Sequence, residues 1–346
     1  MVQGWRLFVF LCALVAFAVG PSPGARVAPA EDLPAKPAAG PADEAPAKEA
    51  PAPAKYLLAY KFQPGQVMRF EASHETEITT HVKDETETVR NSSKAKRHFT
   101  VKAVDEKTGD ADLELSIDWV HMLASFDNPS RPKLAPVEFQ SDDPAKHPEQ
   151  FNYILATVGK PRATIRFSAS GIPIKVLEGA LPPPPKASQQ LGTGPAAPPL
   201  ADATPETYFV PLPEEPVAVG TSWKERFDLV LQDNEKNRQK VTVQRSYKLT
   251  EVAGRLATIE LLTAVLTPIQ NPAIEGQLIQ REISGKVIFD IERGAVIARE
   301  SGVDRTVAGP FGPRSLMQAK SKYREILVND EATADRRADD GAETTK

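Results

Sequence analysis

Two histidines are the side chains in this sequence that come nearest to forming a metal or acid–base site. His74 falls in the same strand phase as Phe70 and Ile78, and His121 falls in phase with Trp119. If those strands pair, both imidazoles converge on the inner face, which makes His74 and His121 weak candidates for a metal site. Two ligands are fewer than a zinc site uses, and by parity Glu75 points the other way. We therefore expect two histidines of the core or rim, with no metal and no cofactor.

Patterns for other catalytic chemistry are missing from the sequence. The only cysteine is Cys12, inside an N-terminal apolar run. There is no Gly-x-Ser-x-Gly elbow and no glycine-rich loop leading from a strand into a helix. Paired carboxylates such as Asp142-Asp143 flank turns or prolines, where solvation explains them, and the acids around Gly109 lack the spacing of a calcium loop. We predict that the protein is not an enzyme and assign no catalytic residue.

The balance of charge argues against a nucleic-acid partner. The formal net charge is -4, and basic residues are interleaved with acids along the chain. A phosphate-binding surface needs clustered lysine and arginine. Protein partners, or an apolar small molecule, remain open.

The N-terminus indicates export. Arg6 is followed by an apolar run over residues 7–19, which is short for a bilayer span and typical of a secretory signal. We predict a signal peptide or N-terminal anchor over residues 1–24 and a disordered Pro/Ala-rich linker over 25–54. The expected location is extracytoplasmic, either periplasmic or secreted. An uncleaved run over 7–19 would tether the protein to a membrane.

Alternating apolar and polar residues predict an antiparallel β lobe over residues 56–180. Its apolar phase includes Phe70 and Ile78, then Leu115 and Ile117. A short helix beginning near Pro148 is predicted to cover the apolar face, because its apolar residues follow helical spacing.

A second β lobe is predicted over residues 207–328, after a Pro-rich linker or excursion over 181–206. It repeats the first lobe: the strand that turns at Gly294 mirrors the strand that turns at Gly171. Residues 329–346 predict a disordered tail. The expected fold class is mainly β, with two similar antiparallel lobes, each a curved sheet or half-barrel.

The inner faces of these lobes supply the candidate ligand-facing positions. They are apolar residues in the inward phase of their strands, and we expect both tryptophans among them to be core residues. These positions are Phe70, Ile78, Leu115, Ile117, Trp119, Trp223, Phe227 and Phe289.

Two sequence segments resemble an uncharacterised family of planctomycete secreted proteins of unknown function. They are Tyr60-Lys61-Phe62-Gln63-Pro64-Gly65-Gln66-Val67-Met68-Arg69-Phe70 and Pro213-Glu214-Glu215-Pro216-Val217-Ala218-Val219-Gly220-Thr221-Ser222-Trp223. This resemblance implies export and the fold, and implies no activity. The turn ending in Gly294 and Val296 is also similar to one in periplasmic lipoprotein carriers, whose curved half-barrel sheets hold acyl chains.

Three functions follow from these observations as hypotheses. The leading one is a non-enzymatic binding or scaffold protein of the cell envelope, which predicts a filled core and a polar surface. The alternative is a carrier of an apolar ligand such as a lipid, which predicts a large cavity inside a curved sheet. A hydrolase is the third, without a supporting motif.

Overall fold

The computed structural model describes residues 54–130, 132–179, 208–232 and 237–328. The predicted signal or anchor, the Pro/Ala-rich linker up to residue 53, the 181–206 linker and the C-terminal tail lie outside these residues. Within the described ranges, no helix combines the length and apolar character that a bilayer span requires.

The fold is mainly β, as predicted, and almost all of its strands belong to one antiparallel sheet. The strands are β1 (Lys55–Tyr56), β2 (Val67–Val82), β3 (Glu85–Val104), β4 (Ala111–Asp127), β5 (Val137–Gln140), β6 (Pro161–Phe167), β7 (Pro173–Gly179), β8 (Val217–Ala218), β9 (Ser222–Gln232), β10 (Arg238–Ala253), β11 (Leu256–Val265), β12 (Ser284–Asp290), β13 (Ala295–Ala308) and β14 (Ser315–Val328). The large sheet runs β7-β6-β4-β3-β2-β14-β13-β12-β11-β10-β9, with β5 beside β4, while β1 pairs with β8. Among the described strands, β7 and β9 lie at its edges.

The two predicted lobes share this sheet. Its first half (β2–β7) joins its second half (β9–β14) where β2 pairs with β14, from Ser315 opposite Val82 to Val328 opposite Arg69. One apolar cluster contains residues from both halves, for example Phe167 of β6 and Leu249 of β10. The apolar faces of the two halves therefore bury one common core.

Two segments outside the large sheet lie in this core. We call residues 58–62 the strap and residues 208–212 the plug. Leu58, Tyr60 and Phe62 of the strap are buried in the common cluster, and Phe209 and Leu212 of the plug are buried beside them. The interior is thus occupied by the chain's own side chains.

Short helices cover the ends of the sheet. Two 3-10 turns, Pro144–Lys146 and Glu149–Phe151, lead into α1 (Asn152–Leu155). Phe151 and Ile154 pack against Val120 and Phe139 of the first half, which confirms the predicted short helix there.

The second half has a helix of its own, α2 (Pro272–Leu278), which the sequence analysis did not predict. The side chain of Asn271 caps it by accepting a hydrogen bond from the Ala273 amide (3.0 Å), and Pro272 occupies its first turn. Ile274 and Leu278 pack against the apolar residues of β9 and β10. Its seven residues are too few to establish a helical period in the sequence.

One prediction about the core is wrong, and a β-bulge is the reason. Opposite β4, Lys96 pairs with Trp119 and Arg97 pairs with Ile117, so Asp118 is an extra residue. Beyond it the phase of β4 reverses, and Val120 is buried while Trp119 is only half-buried. The Trp119 indole donates to Asp142 Oδ1 (2.8 Å) and lies outside the core.

Candidate functional site

The candidate site is the interior between the two halves of the sheet, because half of the predicted ligand-facing residues meet there. The strap crosses this interior and is bound to both halves. The amide of Tyr60 donates to the carbonyl of Ala169 (2.8 Å), in the turn between β6 and β7. The next amide, that of Lys61, donates to the carbonyl of Gly294 (3.1 Å), in the turn between β12 and β13. The strap therefore joins the two turns that the sequence identified as repeats.

Glycines let both turns approach the strap closely. Gly171 has a φ of +80° and Gly294 a φ of +64°, a region that other residues rarely adopt. A Cβ atom at Gly171 would lie 2.5 Å from Cε2 of Tyr60, and one at Gly294 would lie 2.6 Å from the backbone nitrogen of Lys61. Neither position has room for a side chain.

The Tyr60 hydroxyl connects the strap to the plug. It donates to the carbonyl of Val210 (3.0 Å) and accepts from the amide of Val210 (2.9 Å). The Tyr60 ring packs edge-on against Phe209 and Phe289, with centroids 5.0 Å and 5.6 Å away. Burial raises the pKa of this phenol well above its usual range, so it stays protonated and keeps both hydrogen bonds.

Hydrogen bonds from both halves of the sheet also hold the plug. Trp223 of β9 donates its indole N–H to the carbonyl of Pro211 (2.7 Å), while the amide of Leu212 donates to the carbonyl of Ser170 (2.8 Å). Phe209 contacts Phe99 and Phe167 with centroids 5.2 Å and 4.9 Å away. Polar and apolar contacts together fix the plug between the halves.

Little space is left around these segments. A cavity of about 10 Å³ lies between the plug, Phe70 and Glu325. That volume is close to what one water molecule needs, whereas pockets for organic ligands measure roughly 300–1,000 Å³. Among the residues that the structure describes, this cavity is too small for an acyl chain.

A buried cluster of charges borders this cavity. The carboxylate of Glu325 on β14 forms an ion pair with Arg97 on β3, and Arg299 on β13 lies 3.6 Å from its other oxygen. The hydroxyl of Tyr323 donates to Glu325 (2.8 Å) and accepts from Arg299 (3.1 Å). The guanidinium of Arg97 also lies over the ring of Tyr208 in the plug, 5.4 Å from its centroid.

Electrostatics keep this cluster ionised. Burial alone would raise the pKa of Glu325, but Arg97 and Arg299 overcome that effect and hold its pKa below the usual value. Burial would likewise lower the pKa of Arg97, and the Glu325 carboxylate more than offsets it. The cluster can therefore orient β3, β13 and β14 relative to one another as a set of charge-assisted hydrogen bonds.

The structure distributes the predicted apolar positions over several clusters. Phe70, Leu115, Trp223 and Phe289 lie in the common core. Ile117 packs under α1, Ile78 packs beside Ile279, and Phe227 packs at the edge of the cluster under α2. Trp119 is the exception described above.

The predicted convergence of His74 and His121 is wrong. Ser93 pairs with both His74 and Met122, while its neighbour Lys94 pairs with His121, so the two imidazoles lie on opposite faces of the sheet. The bulge at Asp118 is again the cause. No group of three potential ligands with metal geometry occurs among the residues that the structure describes.

His121 belongs instead to a surface cluster. Its Nε2 lies 2.9 Å from Glu138 Oε1, which also accepts from Lys146 (3.0 Å). Hydrogen bonds from His121 and Lys146 lower the pKa of Glu138. This arrangement is a half-buried set of hydrogen bonds that links β4, β5 and the 3-10 turn Pro144–Lys146.

Sequence reasoning missed the charge cluster, although a signal for it exists. Arg97 has the same strand parity as Phe99 and Val101, two buried residues of β3. A charged residue in the inward phase of a strand predicts a buried partner. The partner itself, Glu325, is brought next to β3 only by the pairing of β2 with β14.

The outer face of the sheet has a different chemistry from the interior. Cross-strand ion pairs are spread over both halves of it, each linking neighbouring strands. They include Glu77–Arg90 (2.6 Å), Asp112–Arg166 (2.6 Å), Asp228–Lys240 (2.7 Å), Glu300–Arg324 (3.2 Å) and Glu71–Lys96 (3.6 Å).

No family model matches the chain, and no curated protein matches it. Among solved structures, one described as lipid-protein interactions in lipovitellin is similar over 78% of this chain, with a TM-score of 0.33 and 11% sequence identity. The match covers 25% of that structure, so this chain corresponds to about a quarter of its length. The resemblance to a planctomycete family remains a prediction from the sequence.

Proposed function

We propose that the protein is an exported, non-enzymatic binding or scaffold protein of the cell envelope. The observation that carries the proposal is the filled interior: strap and plug occupy the space between the halves and leave a cavity of about 10 Å³. A scaffold needs a rigid body and an accessible surface, and this interior supplies the rigidity.

The outer face supports the same proposal. Its ion pairs join opposite charges on neighbouring strands, which makes this face polar. Partner binding in this proposal takes place on the outside of the sheet or at its edges.

One observation favours the alternative, a carrier of an apolar ligand. The plug is apolar and lies outside the large sheet, with Tyr208, Phe209, Val210 and Leu212 all buried. If the plug left, an apolar trough lined by Phe99 and Phe167 would open. A carrier therefore requires a ligand that displaces residues 208–212.

Native mass spectrometry of the full chain, exported and purified from a bacterial host, separates the two functions. The protein would be incubated with vesicles of phosphatidylethanolamine and phosphatidylglycerol and then re-isolated. The proposed function predicts the polypeptide mass alone. A stoichiometric lipid mass that organic solvent extracts would overturn it and establish the carrier.

Tryptophan fluorescence supplies an independent readout of the plug. In a Trp5→Phe/Trp119→Phe variant, Trp223 is the remaining indole, and it is bonded to Pro211 of the plug. The scaffold predicts an unchanged, blue emission maximum when vesicles are added. The carrier predicts a shift, because displacement of the plug removes the indole's hydrogen-bond acceptor and its packing.

A further inference from the structure

The two edges of the open sheet differ in how they are protected. The β7 edge has seven residues, begins with Pro173, and shows register shifts against β6 between Thr164 and Ile165 and between Arg166 and Phe167. Short length, proline and irregular register are the devices that natural proteins use to prevent edge pairing. Strand β7 is therefore a poor template for another strand.

The β9 edge is long, regular and free of proline, and its only protection of this kind is its charged side chains, with Glu225 in the inward phase. All eleven of its residues pair with β10 in continuous register, from Gln232 opposite Arg238 to Ser222 opposite Lys248. No proline interrupts it. A long, regular edge presents a row of backbone N–H and C=O groups to which another strand can bind.

The side chains of β9 alternate between the two faces, and Glu225 is the charged residue of the inner phase, beside Tyr247 and Arg245. Trp223, Leu229 and Leu231 are buried on the inner side, whereas Arg226 and Asp228 are exposed on the outer side. Val230 also lies on the outer side and is 50% exposed.

We propose that β9 pairs antiparallel with β9 of a second copy of this chain, about a two-fold axis at Phe227. In that register Arg226 lies opposite Asp228 of the second copy, and Asp228 lies opposite Arg226 of the second copy. Opposite charges directly across an antiparallel pair stabilise it. The strand is thus complementary in charge to itself, as an isologous dimer requires.

Other registers are less complementary. An axis at Arg226 places Arg226 against Arg226 of the second copy, which offsets the two pairs that Asp228 then makes with Lys224. An axis at Asp228 places two aspartates together and forms no pair of opposite charges. A shift by a single residue moves every apolar side chain to the polar face. The charges on β9 therefore favour the register centred on Phe227 over the other registers in which β9 could pair with itself.

The inner face continues through the same register. Phe227 meets Phe227 of the second copy, and Trp223 lies opposite Leu231 of the second copy. Phe227 packs in the cluster under α2, next to Leu229 and Leu231. Apart from Glu225, which lies opposite Leu229 of the second copy, the dimer thus extends the apolar inner layer and the polar outer layer together.

Charge reversal and a charge swap test the pairing in the full chain. Wild type is expected to be a dimer by light scattering and sedimentation at micromolar concentration. Arg226→Asp and Asp228→Arg should each weaken the dimer at least tenfold, which corresponds to about 1.4 kcal/mol. The double variant Arg226→Asp/Asp228→Arg should recover the dimer, because each charged pair is restored with its sign inverted.

Lys107→Asp is the matched control, since it reverses one exposed charge in the turn between β3 and β4. It should leave the dimer unchanged, and circular dichroism should show the same sheet content in every variant. A monomeric wild type, or single variants that dimerise as wild type does, would overturn the proposal.

Disulfide trapping tests the register directly in a Cys12→Ser background. Ser222 and Gln232 of the second copy are opposite each other, so Ser222→Cys/Gln232→Cys should form interchain disulfides on mild oxidation. Within one chain these positions are about 33 Å apart along the strand, too far for a bond. Lys224→Cys/Gln232→Cys is out of register and should stay monomeric on a non-reducing gel; the reverse pattern contradicts the register.

This inference goes beyond the proposed function and fails separately from it. A monomer that binds no lipid would remove the dimer and leave the scaffold in place. A dimer that carries lipid would support the β9 pairing and overturn the scaffold function.

Discussion

The amide of Lys61 donates a hydrogen bond to the carbonyl of Gly294, 3.1 Å away, in a turn of the opposite half of the sheet. The preceding amide, that of Tyr60, is bonded to Ala169 in the corresponding turn of the first half. Adjacent strap residues thus bond to the corresponding turns of the two halves, at Ala169 in one turn and at Gly294 in the other. The repeated glycine turns mark the place where the halves are joined.

We expect Gly294→Ala to lower the free energy of unfolding by about 3 kcal/mol or more. The new Cβ would meet the backbone of Lys61, and φ is +64°, so both sterics and backbone strain oppose the substitution. Urea unfolding followed by circular dichroism measures the change.

Gly254→Ala is the matched control for this prediction. Gly254 also has a positive φ, +59°, but a Cβ there meets no atom within 4 Å. We expect a loss of about 1 kcal/mol from strain alone. Equal losses at the two positions would show that the strap contact contributes nothing.

We expect Glu325→Gln to destabilise the protein by about 3–5 kcal/mol, because it leaves Arg97 and Arg299 without their buried counter-charge. Glu300→Gln removes an exposed partner of Arg324 and should cost about 0–1 kcal/mol. Chemical denaturation of both variants at pH 7 makes the comparison. A loss at Glu325 no larger than that at Glu300 would contradict a structural role for the cluster.

The same carboxylate predicts a pH dependence. The folded-state pKa of Glu325 lies below its unfolded value of about 4.3, so its contribution to stability is complete above that pH and is lost as the pH falls through the folded value. The stability difference between wild type and Glu325→Gln should therefore be constant from about pH 6 to pH 8 and shrink below about pH 4. Unfolding curves collected at intervals of half a pH unit measure it, and a constant difference down to pH 2 is the contrary result.

Much of the fold could be predicted from alternation alone. Phe70, Leu115 and Phe289 lie in the core where their strand phase placed them, because a period of two survives wherever the register is regular. The turns at Gly171 and Gly294 were recognisable because a positive φ restricts the residue type.

What escaped prediction depends on pairing between distant residues. The bulge at Asp118 reverses the phase of β4, so Trp119 and His121 lie on the face opposite to the one expected. Nothing in the local sequence marks that extra residue. Likewise, Arg97 lies next to Glu325 only because β2 pairs with β14, and that pairing is a property of the whole sheet.

Finally, the Tyr60 hydroxyl should hold the plug in place. Tyr60→Phe keeps the ring but leaves both the amide and the carbonyl of Val210 without the partner that they share. Two unsatisfied backbone groups in a buried site cost about 2 kcal/mol or more, so we expect that loss together with faster hydrogen exchange at the Val210 amide. Tyr56→Phe, at the rim of the same core, should change neither quantity appreciably. If Val210 remains as protected in Tyr60→Phe as in wild type, the Tyr60 hydroxyl does not hold the plug, and its other contacts are sufficient.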